Sequence, residues 1–374
     1  MRDDEAVKRP RPLDLGLYVE VPALATGFVA WQVIQNGWAS GWGGDFRIFR
    51  AAGHALLHGR SPYVEPTVRL LTGDDRFVYP APFALLFAPF NLLGPTASTL
   101  VYLALSIGAV LLALHLFGVS DWRCYGAALV GAGTYGSFCV GSIGPFLLLG
   151  LAAGWRYRDR ASAGVWLALV AAAKLFLWPV LLWLVVTRRY RASAAAAATL
   201  IGVMCLWALL DLHGLRTYPT TLRVLDEVER WKSYSPESLV LALGASPAAA
   251  HAVALALAAA GVAVMLVDRD ERRTLIVAVC LALLASPILW MHYTILLLAP
   301  IALARPRLSA IWALPIVFWV TARPDSDGAV WRIVFAITAI AVTTLVVRRA
   351  CRPPAASSAD LTVGSAETPH AVTA

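Results

Sequence analysis

The sequence predicts an all-α polytopic membrane protein, and three observations carry that prediction. Of its 374 residues 59% are hydrophobic and 14% charged, against roughly 45–50% apolar and 25% charged in an ordinary soluble domain. The apolar residues collect into runs that can be laid out as about twelve transmembrane helices. The basic residues sit as short clusters between those runs, where a membrane protein keeps them. A net charge of +8 therefore does not argue for nucleic acid, since no basic stripe or patch forms.

The runs fall at approximately 15–36, 79–93, 97–118, 123–140, 143–155, 162–186, 192–212, 247–267, 273–289, 291–304, 308–322 and 329–348. The second, fifth and tenth are shorter than the roughly 20 residues a perpendicular helix needs and are expected to be broken or half-immersed. Breaks in regular helix at membrane depth require partners from protein or from a water-filled cavity, so a cavity is implied. Residues 1–14 form a cytoplasmic N-terminal segment, in which Arg2, Lys8, Arg9 and Arg11 argue for retention and against a cleaved signal. Residues 15–348 form the transmembrane domain, and residues 349–374 a polar, disordered cytoplasmic tail.

Orientation follows from the basic links. With the N-terminus inside, Arg188-Arg189-Tyr190-Arg191, Arg269 to Arg273, Arg305-Pro306-Arg307 and Arg348-Arg349 all fall in the cytoplasm, as the positive-inside rule asks. One link disagrees, because Arg156, Arg158 and Arg160 then land outside. Two segments on the outer face, 37–78 and 213–246, are too long to be mere connectors, and long loops in compact proteins are usually functional or disordered. In the first, Asp45 to Gly59 has helical spacing. Phe46, Phe49, Gly53, Leu56 and Leu57 line one side, and Arg47, Arg50, His54 and His58 the other. Gly59 and Pro62 end this amphipathic helix, which would lie along the membrane surface.

Asp45 is the leading candidate for chemistry. It follows the turn Gly41-Trp42-Gly43-Gly44, and a carboxylate there could take the proton of an attacking hydroxyl. The competing reading is a helix N-cap, since aspartate satisfies orphan backbone donors at that position. Lys174 lies midway along the sixth run among alanines, where an ionisable group costs roughly 2.5–3.5 kcal/mol on insertion scales and is by default functional. Its alternative is a lysine on carbonyls freed by Pro179. Ser286-Pro287 through Trp290, His292 and Tyr293 interrupts the ninth and tenth runs, and His292 there could donate to a phosphate or sit as an interfacial histidine among belt aromatics. Tyr79-Pro80-Ala81-Pro82 marks a helix start. In the second loop Asp226, Glu227, Glu229, Arg230 and Lys232 read as a solvated face, with a substrate-facing role left open. The five cysteines are scattered and read as packing residues. No phosphate-binding loop or HExxH is present.

Taken in order, these features resemble the family 87 glycosyltransferases of the GT-C superfamily, membrane enzymes that use polyprenyl-phosphate sugars. The resemblance runs over roughly 15–348. It rests on Asp45-Phe46, Ala51-Ala52, Leu56-Leu57, Gly59 and Pro62-Tyr63, then Tyr79-Pro80, Ala84 to Pro89, Lys174, Arg188-Arg189, and Ser286-Pro287 with Trp290 and His292. The chain departs from the family pattern at Ala81, at Gly144-Pro145-Phe146-Leu147, at the Lys174 to Pro179 spacing, and at Leu289 and Tyr293. The resemblance implies a GT-C-like bundle and makes Asp45 the catalytic base. It further implies inverting transfer of a sugar, mannose first, from a polyprenyl-phosphate donor to a lipid-linked or cell-envelope glycan at the outer face of the cytoplasmic membrane. Arg47, Arg50, Lys174, His292 and Tyr79 are the expected donor-phosphate and substrate contacts. No metal or cofactor is expected. The rival expectations are a transporter or lipid flippase, and a non-catalytic envelope-assembly subunit on the same scaffold.

Overall fold

The computed structural model describes residues 12–36, 43–72, 76–321, 323 and 325–351, and every regular element among them is helical. The N-terminal basic patch, Gly41-Trp42 of the loop turn and the polar tail beyond residue 351 lie outside the described residues. Five helices are long and apolar enough to cross a membrane: Pro12–Gln35, Pro95–Leu116, Tyr190–Lys232, Pro247–Val267 and Val330–Ala350. In two of them only 11% of the most apolar stretch is buried within the protein. Leu24, Phe28, Leu105, Leu209 and Leu255 point outward. So much unpartnered apolar surface needs lipid as its solvent, while the helices satisfy their own backbone groups. The chain is an all-α membrane protein.

About twelve full spans are not what the described residues form. The other apolar runs break into short pieces, among them Ala81–Leu92, Ser162–Ala173, Leu175–Val186, Met291–Ala304 and Ala310–Thr321. A twelve-residue helix rises about 18 Å, against a hydrocarbon core of about 30 Å. The sequence at 162–186, expected as one span, is instead a hairpin. Lys174 adopts an extended backbone (φ −139°, ψ 102°) that ends the helix Ser162–Ala173, and Pro179 opens the returning helix Pro179–Val186. Its two ends meet: Arg158 pairs with Glu271 at 2.9 Å, Arg189 pairs with Asp159 at 2.7 Å, and Arg189 also pairs with Glu271. Gly164 lets the outgoing helix close on the backbone of Ala192, where a Cβ would stand 1.8 Å from the carbonyl oxygen.

A second hairpin runs from Glu271–Leu284 through the Ser286–Trp290 tip and back along Met291–Ala304. At its open end the charges of Arg272, Arg273 and Arg305 all act on Cys351. Arg273 and Arg348 share Asp268 at 2.9 and 3.1 Å. The links carrying Arg156 to Arg160, Arg188 to Arg191, Arg269 to Arg273, Arg305 and Arg348 therefore occupy one end of the bundle. The link that disagreed with the positive-inside rule joins the others, because one of the supposed spans before Arg188 turns back on itself.

Among their described residues, both long segments carry regular helix. In the first, the loop helix Gly44–Leu57 buries Phe46, Phe49, Ala52 and Gly53 and turns Arg47, Arg50 and His54 away from them. Leu57, expected on the buried side, is exposed. Gly53 makes the packing close, since a Cβ there would lie 2.7 Å from the Ala84 oxygen and 2.8 Å from the Ala88 nitrogen. Much of the second segment, 213–246, is not a loop at all. The helix Tyr190–Glu229 continues through it after a break at Asp211. Asp211 accepts the Gly214 amide at 2.7 Å on one oxygen and Ser61 Oγ at 2.6 Å on the other. It thereby caps the second half of the helix and ties it to the first loop.

Candidate active site

Asp45 enters its helix in the first turn, but Gly43, in a left-handed conformation, takes the capping position and makes no side-chain cap bond. The cap reading of Asp45 is thus replaced by a partly buried carboxylate near the positive end of a helix. Gly43 is held by its amide, which donates to the Cys139 carbonyl at 2.7 Å. That bond lays the start of the loop helix against the membrane helix Ala132–Val140. Burial pushes the Asp45 carboxyl up to about 6, with the charges of Lys174 and then Arg76 pulling in the opposite direction. At neutral pH it is an ionised base stronger than an ordinary aspartate.

The charge of Lys174, at the tip of the first hairpin, acts on this carboxylate. Its Nζ sits 4.1 Å from the centre of the Tyr79 ring and 4.9 Å from that of Tyr293. Such faces attract an ammonium and compensate part of its lost hydration. The two tyrosine hydroxyls are 3.2 Å apart. Tyr79 is fixed from the first loop, because its backbone oxygen accepts Tyr63 Oη at 2.6 Å and Phe49 packs edge-on to its ring at 4.9 Å. Tyr102 stacks on Phe46 at 4.3 Å and donates to the Ser142 carbonyl at 2.8 Å. The Asp45 charge acts on Tyr79, Tyr102 and Tyr293 alike.

His292 is buried beside this group, its ring 4.3 Å from that of Tyr293. Neither ring nitrogen has a hydrogen-bond partner among the described residues, while its backbone oxygen accepts Ser137 Oγ at 2.9 Å. The Lys174 charge acts on it. Four of the residues singled out in the sequence (Asp45, Tyr79, Lys174 and His292) are therefore brought together from four separate segments. Arg47 and Arg50 are not. At about 100° per residue they lie about 200° and about 140° round the helix from Asp45. Arg50 instead donates to the Leu93 carbonyl at 3.4 Å.

Sequence reasoning missed three contributors. Tyr102 lies in an ordinary-looking span, and Tyr293 reads as a belt aromatic although it adjoins His292. Arg76, whose charge reaches Asp45, pairs with Glu229. Glu229 is only 2% exposed, with Lys232 Nζ 4.0 Å away, so this part of the mixed charge run is an interior clasp and not a solvated face. Its one signal was the lack of a nearby reason for so many charges between two apolar helices.

The fold and site together describe an integral membrane protein in which a carboxylate on a loop helix feels the charge of an ammonium at the tip of a hairpin. The model of glycosyltransferase family 87 matches residues 77–287, more than half of the chain. The chain belongs to that family, and it is a membrane glycosyltransferase. The matched stretch includes Tyr79 and Lys174; it starts after Asp45 and ends before His292. No curated protein and no solved structure matches the chain.

Proposed function

We propose that this glycosyltransferase transfers a sugar, mannose first, from a polyprenyl-phosphate donor to a hydroxyl of a lipid-linked or cell-envelope glycan, with inversion. The observation that carries the reading is the convergence of the Asp45 carboxylate with Lys174, within a cluster of tyrosines, where the first loop meets the hairpin tip. In a single displacement the acceptor oxygen bonds to the anomeric carbon as the bond from that carbon to the phosphate oxygen breaks. Asp45 takes the hydroxyl proton, and polyprenyl phosphate departs with the electron pair. Enzymes usually gain most of their rate by stabilising the charge that develops in the transition state. Here that charge grows on the leaving phosphate, and Lys174 faces it, with Arg76 and His292 next nearest. Arg47 and Arg50, on the far side of their helix, suit the headgroups of surrounding lipids better than the reacting phosphate.

The gathering of basic links at one end of the bundle supports a cytoplasmic location for that end. The site lies toward the opposite end, which favours the outer face of the cytoplasmic membrane. The test is incorporation of labelled mannose from a synthetic polyprenyl-phosphate mannose by the purified chain in lipid nanodiscs with a glycolipid acceptor. Product from wild type and none from Asp45→Asn supports the reading. Equal product from both removes Asp45 as the base. Flipping of a labelled lipid across proteoliposomes without any transfer would favour the flippase alternative.

A further inference from the structure

We propose that Asp226, Glu237 and His251 form a binding site for a divalent transition cation, Zn²⁺ first, that clasps two helices of the second long segment to the membrane helix that follows it. The three residues come from different elements: the second half of the helix Tyr190–Glu229, the first turn of Pro236–Ala242, and the first turns of Pro247–Val267. One ligand atom from each lies within 4.8 Å of the other two. Ligands at about 2.0–2.1 Å in a tetrahedral zinc shell stand roughly 3.4 Å apart, so small side-chain rotations close the set and leave a fourth position open.

The carboxylates point to an ion. Glu237 is 2% exposed, and its Oε1 pairs with His251 Nδ1, the third member of the set, so the two already converge on one point. A buried carboxylate oxygen without a donor is expensive unless a cation satisfies it. Asp226 carries such an oxygen. Its Oδ2 is taken by Arg230 at 3.3 Å, while its Oδ1 is buried with no hydrogen-bond partner among the described residues. Arg230 thus holds the carboxylate in orientation and leaves the inward oxygen for the metal, as outer-shell partners of metal ligands do. One imidazole nitrogen with two carboxylates is the donor set of zinc and its neighbours, and is a poor match for Ca²⁺ or Mg²⁺, which take oxygen alone.

The location gives the ion consequence. Asp226 is three residues from Glu229, which grips Arg76, and the Arg76 charge reaches Asp45. Cross-linking this end of the long helix to its two successors holds Arg76 at the site. The proposal stands without the transfer reading, because its readout is metal content and thermal stability.

The experiment uses the full chain in nanodiscs, with any purification tag removed, stripped with chelator and titrated with Zn²⁺. The expected result is about one ion per chain and a rise in melting temperature, both lost in Glu237→Gln and His251→Ala. A His54→Ala, His58→Ala double variant retains them, since those exposed histidines, whose rings adjoin, lie outside the proposed site. Binding that survives in the first two variants, or vanishes in the double variant, overturns the proposal. Should the substituted chains fail to fold, Co²⁺ added to unaltered protein reports independently. Visible absorption bands of a bound low-symmetry cobalt, displaced by one equivalent of Zn²⁺, are expected, and a featureless spectrum sinks the site.

Discussion

At the scale of single residues, the site is governed by one carboxylate and the cations that face it. Replacing Asp45 with asparagine keeps its shape and removes the base, so turnover should fall by about 10²–10⁴, the usual worth of general base catalysis. The melting temperature should hardly change. Donor affinity at unchanged level, measured by quenching of a fluorescent polyprenyl-phosphate sugar, separates lost chemistry from lost binding. The pH profile follows from the carboxyl at about 6. On the proposed mechanism ionised Asp45 is the active form, so turnover should be level at neutral pH and decline tenfold per unit below about pH 6. Lys174→Met adds a second signature. Lys174 is the larger of the two charges that hold this carboxyl down, so its removal must move the acid limb of the profile to higher pH while turnover falls. An acid limb that stays in place would separate Lys174 from Asp45 and sink the proposed pairing. Asp45, Lys174 and His292 were legible because each breaks a local rule, a charge in lipid or a polar group at an apolar boundary, while Tyr79 was singled out only by the family resemblance. Tyr102 and Arg76 break none, and only the fold reveals them.

At the scale of elements, close approach of backbones positions the site, and two glycines make it possible. Alanine at position 53 would add about 1 kcal/mol of helix propensity. Its Cβ, however, would stand 2.7 Å from the Ala84 oxygen, and overpacking of this kind costs about 1–3 kcal/mol. Gly53→Ala should therefore lower the melting temperature in detergent and reduce turnover, because the loop helix can relieve the clash only by lifting Asp45 with it. Gly164→Ala, with its Cβ 1.8 Å from the Ala192 oxygen, should destabilise more, by pushing the first hairpin off the long helix. A variant at either position as stable as wild type would show that the helices do not pack at this distance. The loop helix was readable because water on one side and protein on the other impose a 3.6-residue period on its sequence. The hairpins were not. Lipid and protein interior accept the same apolar residues, so the sequence between Arg160 and Arg188 stays apolar while the chain reverses. Lys174 and Pro179 mark the turn, and both have ordinary explanations inside a straight span.

At the scale of the whole molecule, the hairpin reading changes which links share a side of the membrane. Arg158, Asp159, Arg189 and Glu271 are joined in one ion-pair cluster, so no full membrane crossing separates residue 160 from residue 188. An odd number of crossings there would place the two links roughly 30 Å apart, which the side chains cannot bridge. Impermeant maleimide labelling of single cysteines in intact cells tests this directly, in a chain whose own five cysteines are replaced by serine. Cysteine at His54, exposed on the loop helix, should react from outside. Cysteine at Arg156 or Arg349 should react only after the cells are permeabilised. Labelling at Arg349 from outside while His54 stays protected would remove the outward orientation of the site. Labelling of Arg156 from outside while Arg349 stays protected would restore a straight span at 162–186, and with it dissolve the tip on which Lys174 is carried to Asp45.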